Sequence, residues 1–138
     1  LVVLGSGFDS EAGAKLKSMA CDSIHFLGPK TNVGDYLYNA DVFTLSSSSE
    51  GMPISLLEAM LSGVPMVSTP VCGAVDVIDG KNGVLSKSFE VEDYANALAS
   101  VIENNDFYKK HTLEGVSDSP YTIKRCAEKY IEFYKRDA

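Results

Sequence analysis

Short apolar runs alternate with longer segments of helical periodicity along this chain of 138 residues. The runs are rich in β-branched residues, as are strands that are buried on both faces of a parallel sheet. They predict strands at Leu1–Leu4, Ile24–Leu27, Val42–Ser46, Pro65–Ser68 and Val84–Ser86. The periodic segments predict helices at Ser10–Ala20, Asn32–Asn39, Pro53–Ser62, Ala74–Ile78, Val91–Asn104, Asp106–Leu113 and Tyr121–Lys135. This alternation predicts an α/β fold, a doubly wound parallel sheet of about five strands with helices on both faces.

The segment around the third predicted helix is unusual because Glu58 is the one charged residue between Gly51 and Val75. Met52-Pro53 is typical of a helix start, and the glycine and proline at 63 and 65 are typical of a stop. Apolar residues cover almost the whole circumference of this helix, so we expect it to be buried and Glu58 with it. A buried acid needs a partner, which is either a basic residue elsewhere in the chain or a ligand.

A second acid, Glu50, stands in the loop before the same helix. Glu58 lies roughly 7.5 Å along the helix axis from Pro53, at 1.5 Å per residue. Because free N–H groups and the dipole favour an anion at a helix N-terminus, the two acids flank a place suited to a phosphate. Each carboxylate could then hold a hydroxylated group. Pairing of Glu58 with a Lys or Arg explains the spacing equally well, so the spacing leaves both interpretations open.

The composition of the chain indicates a single globular domain and argues against nucleic-acid binding and a membrane span. Apolar residues make up 45% of the chain, enough for the core of one domain, and the net charge of −7 argues against a nucleic-acid partner. The three cysteines are scattered without the spacing of a metal site or a disulfide framework, which favours a reducing cytoplasm. No apolar stretch has the length of a membrane span.

An ordered set of motifs resembles the glycosyltransferases of family 4, in the donor-binding half of the two-domain GT-B architecture. Glu50 and Glu58 match the E-x7-E signature of that family, within a matching E-G-x-P-x-S-x-L-E-A-M pattern. The other matching segments are Leu1–Gly7, Ile24–Gly28, Ala40–Ser46, Val64–Thr69, Asn82–Leu85 and Tyr130–Tyr134. The resemblance covers nearly the whole chain and implies a Rossmann-like domain with its C-terminal helix packed across it.

The resemblance also implies roles for the residues of the signature. Glu58 would hold the ribose hydroxyls of the donor, and Glu50, the catalytic candidate, would contact the transferred sugar. Donor sugar and diphosphate would be bound by Gly51, Met52, Pro53, Ile54 and Ser55. Many members have glycine in place of Pro53; because proline has no N–H, Ile54 and Ser55 would have to bind the diphosphate. A further departure is Cys72-Gly73-Ala74, where a Gly-Gly pair is common.

By the same resemblance, residues 1–138 form a donor domain without its first strand and helix and without the acceptor-binding domain before them. In a sheet of order 3-2-1-4-5-6 the absent strand is central, which leaves two strand edges unpaired. The neighbours could pair directly, another chain could supply a strand, or upstream residues could fill the gap. The absent strand and helix would carry the Arg and Lys that neutralise the diphosphate. We therefore expect this fragment alone to be inactive.

The function implied is retaining transfer of a sugar from a nucleotide-diphosphate sugar to a glycan or lipid-linked acceptor in polysaccharide biosynthesis. No cofactor and no metal are expected, because the chain lacks the Asp-x-Asp metal site of the other large glycosyltransferase class. The expected location is the cytoplasm, with peripheral membrane association open to the longer protein. The alternative function is a non-catalytic α/β module that binds a nucleotide or a partner protein, with the closing helix as its interface.

Overall fold

A computed structural model describes residues 1–136, which form five short strands and seven helices. The strands are β1 (Val2–Leu4), β2 (His25–Gly28), β3 (Phe43–Leu45), β4 (Met66–Ser68) and β5 (Gly83–Leu85). The helices are α1 (Glu11–Met19), α2 (Val33–Tyr38), α3 (Ile54–Leu61), α4 (Cys72–Val77), α5 (Val91–Glu103), α6 (Asn105–Val116) and α7 (Ile123–Arg136). Every predicted element is present within three residues of its predicted bounds. The predicted α/β class is confirmed.

All strand pairings are parallel, and the strands form two sheets. One sheet pairs β1 with β2, and the other has the order β3-β4-β5. Within residues 1–136, no ladder joins the two sheets. For a doubly wound sheet of order 3-2-1-4-5-6, the resemblance leads us to expect strand 1 to be absent from these residues. Direct pairing of the neighbours of that strand, one of the three possibilities, is not seen.

The chain divides into two compact units, Leu1–Val33 and a larger one from Gly34 onward. In the first unit, the Ser10 side chain caps α1 by accepting a hydrogen bond from the N–H of Gly13 at 3.2 Å. The rings of Phe8 and Phe26 pack with their centroids 4.9 Å apart. The residues of β1 and β2 are exposed or half-buried, so the expectation that they are buried on both faces is wrong. Both faces of a parallel sheet are buried only where helices cover both, and the unit Leu1–Val33 contains a single complete helix, α1.

The core of the larger unit surrounds β4, all of whose residues are buried. One cluster joins Val67 of this strand to Ala97 and Val101 of α5. From α3, the buried residues are Leu56, Ala59 and Met60. The expectation that its faces are buried is right for β4 because both α3 and α5 pack against this strand.

The closing helix is confirmed as α7. Ser119-Pro120 is a typical N-cap and first position of a helix and predicts a start at that point, but this prediction is wrong. The Thr122 hydroxyl accepts a hydrogen bond from the N–H of Arg125 at 3.3 Å, the spacing of an N-cap, so the helix begins at Ile123. None of its residues is buried. Its apolar side chains are exposed rather than packed on the sheet: Ile123, Tyr130, Ile131, Phe133 and Tyr134.

Candidate functional site

The two acids of the candidate site lie beyond the carboxyl end of β3, in the loop 46–53 and on α3. Pro53 occupies the N-cap position of α3, with φ −71° and ψ 110°, and not the first helical position that the sequence predicted. Its fixed φ suits either position, which is why the pattern alone misplaces it by one residue. The helix ends before Ser62, and Gly63 follows with a φ of 75°, a conformation that glycine adopts without strain.

The first turn of α3 has backbone donors without acceptors. The N–H of Leu56 donates to the carbonyl of Pro53 at 3.1 Å. Neither Ile54 nor Ser55 has an acceptor for its N–H within residues 1–136, and no side chain caps the helix. These two amides and the positive end of the dipole suit an anion such as a diphosphate.

Glu58 is exposed, so the prediction of a buried acid is wrong. Ile54, which is 63% exposed, stands one helical turn before Glu58 on the same outer face of α3. The exposed face could not be recognised from the sequence because it contains an apolar residue, Ile54. The Glu58 side chain forms neither an ion pair nor a hydrogen bond with the described residues, so a neutralising Lys or Arg is not seen. The side chain is accessible to a ligand, but burial gives no argument for one.

Glu50 is half-buried and held by a neighbour in its own loop. The Ser47 hydroxyl donates a hydrogen bond to Oε1 of Glu50 at 2.7 Å. The carbonyl of Ser47 in turn accepts a hydrogen bond from the hydroxyl of Thr69, the residue after β4. The Glu50 carboxylate is therefore fixed to the carboxyl ends of two adjacent strands, where ligand sites of α/β sheets form.

The loop before α3 also packs tightly against the start of α4. Gly73 is buried there, and a Cβ at this position would meet the carbonyl oxygen of Gly51. The same Cβ would stand 2.6 Å from Cα of Met52 and 2.8 Å from Cδ of Pro53. Glycine is required because the two backbones are in contact. The shape of the loop 51–53 therefore depends on Gly73.

The structure places the remaining candidates in one continuous segment. Gly51 and Met52 are exposed, Pro53 is buried, and Ser55 is half-buried. The sequence singled out all of these but missed the contributions of Ser47, Thr69 and Gly73. Four successive serines, at 46–49, gave no sign of which one contacts Glu50. The glycine at position 73 was the available signal for a close approach of two backbones.

Two open depressions of the surface are lined by residues other than Glu50 and Glu58. One of these lies beside α1 and the other beside α7, and each holds about 490 Å³. Within residues 1–136, no group of three or more His, Cys, Asp or Glu side chains is arranged to hold a metal ion. The described helices are all too short or too polar to cross a membrane.

Comparison with known proteins gives the family. The family model described as "Glycosyl transferases group 1" matches residues 1–104. The chain is 31% identical to the Escherichia coli O-antigen biosynthesis glycosyltransferase WbnH over 130 residues, which are 94% of this chain and 37% of that protein. It is 26% identical to the N,N'-diacetylbacillosaminyl-diphospho-undecaprenol alpha-1,3-N-acetylgalactosaminyltransferase of Campylobacter jejuni over 137 residues, which are 98% of this chain and 36% of that protein.

A solved structure shares the fold. Anabaena Alr3699/HepE in complex with UDP superposes with a TM-score of 0.83 at 19% identity, over 98% of this chain and 40% of HepE. HepE has also been solved with UDP-glucose. The chain thus spans less than half the length of these relatives, and its fold is the Rossmann-like α/β fold predicted. On the match of residues 1–104 and the likeness to WbnH, the chain belongs to the group 1 glycosyl transferases.

Proposed function

We propose that this chain is the donor-binding domain of a retaining glycosyltransferase of family 4. Its substrate would be a nucleotide-diphosphate sugar, and its acceptor a glycan or a lipid-linked glycan in polysaccharide biosynthesis. The observation that carries the proposal is the first turn of α3. Free N–H groups at Ile54 and Ser55 lie between two acids, Glu50 and Glu58, that no basic residue of the described chain neutralises.

Each group of this site has a chemical task in the proposed reaction. Negative charge develops on the diphosphate as the sugar leaves, and N–H donors fixed at a helix N-terminus stabilise it without reorganisation. Glu58, on the accessible face of α3, would accept hydrogen bonds from the two ribose hydroxyls. Glu50 would accept hydrogen bonds from hydroxyls of the transferred sugar and so orient it. A carboxylate can accept from two neighbouring hydroxyls at once, which suits a diol.

The names of the relatives support this choice of substrates. WbnH is an O-antigen glycosyltransferase, and the Campylobacter jejuni enzyme is named for a diphospho-undecaprenol acceptor. HepE was solved with UDP and with UDP-glucose. By analogy, we propose a lipid-linked or glycan acceptor for this chain and UDP-sugars as the first donors to test. We also propose that the reaction needs no metal and takes place in the cytoplasm, with peripheral contact to the membrane.

We further propose that acceptor binding belongs to a longer protein of which this chain is the donor part. Support comes from the relatives, of whose length this chain covers 36% and 37%. The exposed apolar face of α7 is a second argument, because Ile123 is 90% exposed and Tyr134 70% exposed. Such a face is costly in water and is normally covered by other protein. The same face would also serve the alternative function, a module that binds a partner protein without catalysis.

Isothermal titration calorimetry with UDP-, GDP- and ADP-glucose tests the donor site directly. One of these donors should bind the wild-type chain, and Glu58→Ala should weaken its binding by about 1–3 kcal/mol through loss of the hydrogen bonds to the diol. Glu103→Ala is the matched control, because Glu103 is an exposed helical glutamate of α5 remote in sequence from the site. Equal affinities of the wild type and the folded Glu58→Ala variant would refute the assignment of Glu58. A failure of all three donors to bind would favour the partner-binding alternative.

A further inference from the structure

The serine-rich loop after β3 contains one side chain that is set apart from its neighbours. Ser47 is half-buried and donates its hydroxyl hydrogen bond to Oε1 of Glu50 at 2.7 Å. Ser46, Ser48 and Ser49 are exposed and make no side-chain hydrogen bond with the described residues. The loop therefore has one serine in a defined role and three that face solvent.

Ser47 is itself anchored to the core of the larger unit. Its carbonyl oxygen accepts a hydrogen bond from the Thr69 hydroxyl, and Thr69 is only 4% exposed. The N–H of Thr69 donates to the carbonyl of Leu45 at 3.1 Å, which ties the ends of β3 and β4 together. A continuous series of hydrogen bonds thus runs from the buried strand β4 to the Glu50 carboxylate. It ends on Oε1, and Oε2 has no hydrogen bond with the described residues.

We propose that Ser47 and Thr69 are positioning residues for Glu50, which together fix its carboxylate so that Oε2 faces the transferred sugar. This inference rests on the proposed function, in which Glu50 contacts that sugar. A glutamate in a flexible loop loses side-chain entropy when it binds a hydroxyl, and a carboxylate already held by one oxygen loses less. Ser47 acts here through Glu50 and has no contact of its own with the donor.

The test compares the affinities of the chain for UDP-glucose and for UDP, which lacks the sugar. The measured quantity is the dissociation constant for UDP-glucose divided by that for UDP. A general loss of folded protein affects both constants alike and leaves this ratio unchanged. Ser47→Ala should raise this ratio about tenfold, which is the effect of losing one hydrogen bond to a charged group. The affinity for UDP itself should be unchanged. Ser47→Thr keeps the hydroxyl and should restore the ratio. Ser48→Ala, a neighbour without that contact, is the matched control and should leave the ratio unchanged.

Substitutions of Thr69 independently test the hydrogen bond from the Thr69 hydroxyl to the Ser47 carbonyl. Thr69→Val removes the hydroxyl that holds the Ser47 carbonyl and should worsen the ratio in the same direction, whereas Thr69→Ser should restore it. In a background of Glu50→Ala, Ser47→Ala should have no further effect, because a residue that acts through Glu50 has nothing left to position. An additional loss in the double variant, or an unchanged ratio in Ser47→Ala, would overturn the inference.

The outcomes separate this inference from the function on which it rests. If Glu50→Ala worsens the ratio and Ser47→Ala does not, the donor site stands and the positioning role is wrong. If neither UDP nor UDP-glucose binds the wild-type chain, and GDP- and ADP-glucose also fail, the proposed function is wrong and the positioning role falls with it.

Discussion

Replacing Gly73 by alanine tests whether the loop before α3 has its shape because two backbones are in contact. The added Cβ would stand 2.6 Å from Cα of Met52 and 2.8 Å from Cδ of Pro53, and it would also meet the Gly51 carbonyl. All three atoms belong to the backbone or to a proline ring, so no flexible side chain can move aside. The loop 51–53 must therefore shift, or α4 must move away from it.

The expected change in the stability of Gly73→Ala follows from two opposing effects. Overpacking of a close contact costs about 1–3 kcal/mol. Alanine in place of glycine inside a helix gains up to about 1 kcal/mol. With three short contacts to rigid atoms we expect the upper part of the first range, which leaves Gly73→Ala less stable by about 1–2 kcal/mol. Affinity for the donor should fall as well, because the displaced loop carries the residues between Glu50 and α3.

Gly115→Ala is the matched control for this variant. Gly115 is an exposed glycine of α6, and a Cβ added there meets nothing within 4 Å. It receives the same gain in helix propensity without the clash, and the variant should be more stable than the wild type by about 0.5–1 kcal/mol. Urea unfolding followed by circular dichroism measures both changes in the free energy of unfolding. The reasoning is refuted if Gly73→Ala is as stable as Gly115→Ala.

Three further predictions concern the core, the titration of a tyrosine and the activity of the chain. Leu56 is fully buried, so Leu56→Ala should lower the free energy of unfolding by about 2–5 kcal/mol in the same urea titration. Burial raises the pKa of Tyr94 above its usual 10.0, and this effect exceeds the lowering by the nearby Thr44 side chain and Leu45 backbone. The Tyr94 hydroxyl is buried without a hydrogen bond of good geometry. The unfolded chain thus releases this proton first, so wild-type stability should fall as the pH rises above that value. Above this pH, Tyr94→Phe should lose less stability than the control Tyr38→Phe, because Tyr38 is 83% exposed. Equal losses in the two variants would contradict the raised pKa of Tyr94. Finally, we predict that the purified 138-residue chain transfers no sugar in a radiolabelled-donor assay, because by the family resemblance the Arg and Lys that neutralise the leaving diphosphate are not among its residues. Robust turnover would refute this.

The order and type of the elements could be read from the sequence because the apolar periodicity changes so clearly between strand and helix. Strong local signals fixed the ends of α1 and α3, where Ser10 is a capping residue and Gly63 is a stop. The start of α7 was misplaced because Ser119-Pro120 and Thr122 are both plausible start signals, and only the hydrogen bond to Arg125 decides between them. Sequence patterns show which residues are able to cap a helix, but the tertiary course of the chain selects one.

The candidate site shows the same division between local and tertiary information. The segment from Glu50 to Glu58 was identified from its charge pattern, and the structure brings its residues to the start of one helix. The exposure of Glu58 could not be predicted, because the outer face of α3 contains the apolar Ile54. The link from Thr69 to Glu50 was also beyond the sequence, since Thr69 lies 22 residues from Ser47 and the two meet only when β3 and β4 pair. Family membership therefore rests on the comparisons, and burial of Glu58 contributes nothing to it.

Binding of a nucleotide sugar at the start of α3 can be measured residue by residue, by titrating the ¹⁵N-labelled chain with UDP-, GDP- and ADP-glucose and following the amide signals by NMR. We expect one donor to shift the amide signals of Ile54 and Ser55 first, together with those of Glu50 and Glu58, and Glu58→Ala to reduce these shifts. Amide shifts confined to other parts of the chain, or no shifts with any of the three donors, would contradict this expectation.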